Sequence, residues 1–115
     1  MNHKELNVWK KSIELSKDIY LITKNFPKEE IYGITSQIRR AVVSIASNIA
    51  EGSARNSNKE FTHFLYISLG SLSELETQLI ISVEIGYIKE FDFDKLEEII
   101  KMLLGLIKYI KSIKD

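Results

Sequence analysis

Apolar residues recur along almost the whole chain at spacings of three and four, the period of a helix with one buried face, and almost nowhere at spacing two. The pattern predicts four helices. The first runs from about Leu6 to Lys24, with Leu6, Trp9, Ile13 and Tyr20 on one line and Val8, Leu15, Ile19 and Ile22 on a neighbouring line. Two lines cover roughly half of the circumference at ~100° per residue, wider than a single core contact requires. That width predicts two buried faces, one for the chain's own core and one for a neighbouring subunit. Asn25-Phe26-Pro27 ends the helix, because the residue before proline avoids the helical region. A short turn over Lys28–Tyr32 and a break at Gly33 follow.

Helix two is predicted over Ile34 to Ala50, with Ile34, Ile38, Ala41, Ile45 and Ile49 as its apolar stripe. Beside that stripe lies a polar row, Gln37, Arg40, Ser44, Asn48 and Glu51, at the same helical spacing. A surface helix needs only the first, so the second is expected to face another helix or another chain. The connection Glu51–Asn56 offers Gly52 as a left-handed C-cap. Ser57-Asn58-Lys59-Glu60 is a capping box that opens helix three. Its stripe, Phe61, Leu65, Ser68, Leu72, Leu75, Leu79 and Val83, continues to a stop at Gly86, roughly 40 Å at 1.5 Å per residue. Asp92 or Asp94 caps helix four, whose face is Leu96, Ile99, Leu103, Leu106 or Ile107, and Ile110. Lys108, Lys111 and Lys114 complement the dipole at its C-terminal end. Short connections between long helices favour antiparallel neighbours, so the expected fold class is all-α, an up-down-up-down four-helix bundle forming a single domain over residues 1–115. Ala46, Ser47, Ser68, Gly70 and Gly105 mark places where helices are expected to approach closely, since an interior glycine costs about 1 kcal/mol relative to alanine.

Composition narrows the function classes. Hydrophobic residues make up 44% and charged ones 28%, which suits a globular rather than a disordered chain, and no cysteine is present to form disulfides or thiolate metal sites. The first residues, Met1–Glu5, lack an apolar signal core, and no apolar run reaches bilayer length, so a cytoplasmic location is expected. Net charge is zero but unevenly spread: +4 over residues 1–59, −7 over 60–98 and +3 over 99–115. Interleaved solvated faces account for this; the alternative is one basic and one acidic surface, which suits self-association or an elongated polyanion partner.

No residue set amounts to a catalytic site, and no enzyme activity or cofactor is expected. Glu60-Phe61-Thr62-His63 has the Glu-x-x-His spacing of carboxylate metal sites, but those need the motif twice, and the other histidine is His3. Ser44 and Ser47 have no histidine base on a nearby face. Ser53–Lys59 lacks the glycine-lysine pattern of a phosphate loop. Arg39 and Arg40 point apart by ~100° and cannot act as one fork. Arg40 is expected to pair with Glu74 on helix three, in a row with Ser71, Gln78 and Ser82; the competing reading leaves Arg40 in solvent as a ligand-binding residue. Asn48, Glu51, Gly52 and Arg55 cluster at the end of helix two, either as a polar helix terminus or as a ligand-binding loop. Lys10, Lys11, Lys17, Arg39 and Arg55 are the candidate contacts to nucleic acid, although no nucleic-acid-binding motif is present.

Together, Gln37-Ile-Arg-Arg40, Ser44-Ile45, Asn48-Ile-Ala-Glu-Gly52, Lys59-Glu-Phe61 and Gly70-Ser-Leu-Ser-Glu-Leu-Glu-Thr77 resemble the bacterial four-helix-bundle proteins encoded in 23S rRNA intervening sequences. Leu6-x-Val-Trp9 and Gly86-Tyr-Ile88 fit as well, and Ala46 stands where the family usually has proline or a small residue. The resemblance covers nearly the whole chain. It implies a bundle that assembles into a ring-shaped homopentamer, without enzymatic activity. It also implies kinship with the accessory protein of diversity-generating retroelements, which binds nucleic acid and a reverse transcriptase through a basic surface. The expected partner is thus the chain itself, with RNA or other nucleic acid as the alternative, and no membrane.

Overall fold

A computed structural model describes residues 1–113. Four helices, α1 (Asn7–Thr23), α2 (Ile34–Ser53), α3 (Asn58–Glu84) and α4 (Asp94–Lys111), form an antiparallel up-down-up-down bundle 48 Å long, and no strand occurs among the described residues. Each helix packs on its sequence neighbours, and α4 closes the bundle against α1. Lys114, expected in the basic end of the last helix, lies outside the described residues.

The stripes that predicted the helices are the core. Ile38, Ile45 and Ile49 of α2, Leu65, Leu72, Leu75 and Leu79 of α3, and Leu96, Ile99 and Leu103 of α4 are all fully buried. Each such side chain contributes about 1.5–3 kcal/mol through removal from water. On α1, Val8, Leu15 and Ile19 of one apolar line are buried, whereas the other line divides: Leu6 and Trp9 are half-buried against the core, and Ile13 and Tyr20 are 45% and 40% exposed. On α4 the ambiguous position resolves to Ile107, which is buried while Leu106 is half-buried.

Punctuation follows the expected chemistry at most ends. The hydroxyl of Ser57 accepts the Glu60 N–H at 3.1 Å, opening α3. At its other end Gly86 has φ +85°, and the Tyr87 N–H reaches back to the Ser82 carbonyl at 2.9 Å while the Gly86 N–H meets that of Val83 at 3.1 Å. This is a Schellman closure, which needs the left-handed conformation that glycine adopts freely. Ahead of α4, the Asp92 carboxylate accepts the Asp94 N–H at 2.9 Å.

The end of α2 differs from the expectation. The helix does not stop at Ala50 but continues through Glu51 and Gly52 to Ser53, and Gly52 is not a left-handed cap. Gly52 is buried, and a Cβ there would lie 2.8 Å from the Phe64 Cβ and 3.1 Å from the Phe61 carbonyl oxygen. Its missing side chain lets the end of α2 press against the start of α3. Gly70 and Gly105, expected to mark close approaches, face open space instead. Nothing in the packing explains glycine at those two positions.

Candidate functional site

Two seams flank α2, and they use their polar residues differently. Along the α2–α3 seam, Ser44 and Ser71 share a hydroxyl–hydroxyl bond of 2.9 Å across the helices. The Asn48 amide nitrogen donates to both the carbonyl and the hydroxyl oxygen of Ser44, at 2.8 and 2.9 Å. One turn on, the buried Ser68 hydroxyl donates to the Ile45 carbonyl at 2.9 Å. The middle of the polar row is therefore spent inside the chain. Its ends are not: Gln37, Arg40, Glu51 and Glu74 are exposed, and Gln78 is buried with its carbonyl oxygen unpartnered.

Arg40 does not pair with Glu74. Its guanidinium reaches only the Ser36 hydroxyl on its own helix, at 3.4 Å, and it stays in solvent. Its helical position turns it farther outward than Ser44 and Asn48, so the competing reading of an exposed Arg40 fits the geometry. Glu51 instead pairs with Arg55, whose guanidinium lies 4.7 Å above the Phe64 ring.

The outer face of α1 and α2 is apolar and uncovered by the rest of the chain. Ile13 and Tyr20 of α1, Ile31 of the turn and Val43 of α2 are each 40–49% exposed, with the Arg39 guanidinium 4.7 Å from the centre of the Tyr20 ring. The Arg39 Nε also donates to the Thr23 hydroxyl at 2.9 Å, so the guanidinium is fixed against α1. Aliphatic, aromatic and arginine side chains without facing carboxylates are the composition of protein interface centres.

The candidate nucleic-acid residues are not gathered. The antiparallel arrangement puts Lys10, Lys11 and Arg55 toward the end holding the α3 N-terminus, whereas Arg39 lies near the opposite end, beside Thr23. Lys17 is exposed between them, and Lys11 pairs with Glu14 at 3.8 Å. The same end as Lys10 carries Lys111 of α4, 5.5 Å from the Tyr66 ring, a pairing that sequence spacing did not suggest. His63 is exposed with its ring against Phe64, and no group of three histidine or carboxylate side chains converges among the described residues. No described helix is long and apolar enough to cross a membrane.

At the far end, one contact joins two connections and another joins two helices. Tyr87 donates its hydroxyl hydrogen to Glu30 at 2.7 Å, and the carboxylate holds the phenol above its ordinary pKa. Lys95 of α4 donates to Asp18 of α1 at 2.8 Å, which likewise raises the ammonium pKa.

A family model described as 23S rRNA-intervening sequence protein matches residues 4–109. A solved structure from Bacteroides thetaiotaomicron VPI-5482, described as a protein with unknown function from the S23 ribosomal protein family, is 27% identical. It aligns with 91% of this chain and 95% of its own, with a TM-score of 0.62. No curated protein matches.

Proposed function

Because the chain belongs to the 23S rRNA-intervening sequence protein family, we propose that it is a non-enzymatic interaction protein of the cytoplasm that assembles with copies of itself. The outer face of α1 and α2 is the contact surface, and a homopentameric ring is the assembly. The observation that carries this reading is the second apolar line of α1. Ile13 and Tyr20 of that line stand out of the core, although Leu6 and Trp9 pack against it, and Tyr20 lines one groove with Ile31 and Val43 of the adjoining elements. Monomers rarely leave contiguous apolar area of this kind in water without a partner. The half-buried seam of Ser44, Asn48 and Ser71 makes α2 and α3 a firm platform behind that face.

Sedimentation of the purified chain at micromolar concentration tests the proposal. The wild type is expected to sediment as an oligomer, and Ile13→Asp or Val43→Asp to release monomers with the helical content unchanged. A wild type that sediments as a monomer overturns it.

The basic end supports a second reading, binding of RNA or other nucleic acid. Lys10, Lys11, Arg55 and Lys111 share that end, with Arg55 and Lys111 over aromatic rings, and a ring would repeat the weak patch with avidity. Titration against structured rRNA fragments at low and moderate salt separates the two readings. Binding that falls as salt rises supports the second, and no binding at either salt removes it.

A further inference from the structure

Between the end of α1 and the start of α2 lies an open cleft of about 440 Å³. Its cations are Lys24, Lys28 and Arg39, and no carboxylate lines it. Phe26, Pro27 and Ile31 form an apolar wall, and the hydroxyl-bearing Thr23 and Thr35 complete it. In a chain of zero net charge, three cations lining one cleft without a carboxylate in its wall is a local excess of positive charge. Glu29 and Glu30 of the adjoining turn do not line the cleft, and the Glu30 carboxylate is engaged by the Tyr87 hydroxyl.

Thr35 supplies an independent observation. It is 3% exposed and lines the cleft, yet its hydroxyl oxygen has no hydrogen-bond partner. A buried hydroxyl left unpaired costs about 1–3 kcal/mol, so a polar group retained there calls for a partner. As it stands the Thr35 hydroxyl oxygen is shielded from solvent; threonine in a helix divides between two side-chain rotamers, and a step between them would bring the hydroxyl to the cleft wall. Thr35 also sits in the first turn of α2, where no side chain makes a capping hydrogen bond, although the Glu30 carboxylate lies close to Gly33. One turn later Arg39 is held by Thr23 and Tyr20, which leaves its outer guanidinium nitrogens preorganised rather than free to rotate.

We propose that this cleft binds a small phosphate monoester, its phosphate held by Arg39, Lys28, Lys24 and the Thr35 hydroxyl and its organic part resting on Phe26, Pro27 and Ile31. Three cations match a dianion better than a monocarboxylate, and the apolar wall favours an organic ester over free phosphate. The site borders the self-association face, with which it shares Ile31, Thr35 and Arg39, and it requires no chemistry.

The test is calorimetric titration of the full chain in phosphate-free buffer with phenyl phosphate, inorganic phosphate and benzoate. Phenyl phosphate is expected to bind saturably, one per chain, and inorganic phosphate to compete more weakly. Thr35→Val keeps the shape and removes only the unpaired hydroxyl, so the variant melts at or above the wild-type temperature while its affinity falls about tenfold, the effect of one lost hydrogen bond to a charged group. Arg39→Gln is expected to weaken binding by at least as much. Absence of saturation, affinity unchanged in both variants, or benzoate binding as tightly as phenyl phosphate each overturns the proposal. Sedimentation of the same variants shows separately whether assembly survives.

Discussion

The α2–α3 seam and the α1–α2 face lie on opposite sides of one helix, and they divide its polar residues into two kinds. Across the first, Ser44, Asn48, Ser68 and Ser71 satisfy one another or a backbone carbonyl, and Gly52 removes the last obstacle to close approach. Across the second, Thr35 has no partner and Arg39 is positioned without a countercharge, among side chains left 40–49% exposed. Polar groups that close their own hydrogen bonds hold a structure together. Polar groups that are fixed in place but unspent are available to something outside the chain.

The strongest way to break this contrast is at Gly52. Gly52→Val pushes an isopropyl group, a Cβ and two methyls, into Phe61 and Phe64, and chemical denaturation should show a loss of about 3 kcal/mol. Gly70→Ala, on the same pair of helices but in open space, should instead gain up to about 1 kcal/mol, because alanine restricts the unfolded chain and favours helix. Ser44→Ala leaves the Ser71 hydroxyl and the Asn48 amide short of a partner and should cost about 1 kcal/mol; a double-mutant cycle with Ser71→Ala should recover a clear coupling. The ties at the far end give a weaker, pH-dependent effect. Tyr87 and Lys95 both have folded pKa values raised above their ordinary 10.0 and 10.5, so their contributions are intact below those values and are lost as pH climbs through the folded ones. Alkaline unfolding curves of Tyr87→Phe combined with Lys95→Met should therefore fall less steeply than those of the wild type. Smallest of all, a cycle on Arg40 and Glu74 should give coupling within about 0.3 kcal/mol of zero, since the two do not meet.

The helices, their antiparallel order, the capping serine and the stop at Gly86 were legible in the sequence because each rests on local rules: periodicity, cap chemistry and the few residues that tolerate a left-handed turn. The polar row was legible as a row, but not in its pairing. Ser44 faces Ser71 and Arg40 faces water because of how α2 is rotated against α3, and one turn of register separates a buried position from an exposed one. Gly52 misled for a related reason: glycine serves a helix end and a close contact equally well, and only the position of Phe61 and Phe64 selects between them. Thr35 carried no signal at all, since a threonine in a first turn is unremarkable until its surroundings leave the hydroxyl unpaired. Composition and spacing determined which faces are apolar and where the helices begin. Tertiary packing decided which polar groups are spent and which remain unspent, because hydrogen bonding and burial depend on angles and distances between helices that no local pattern encodes.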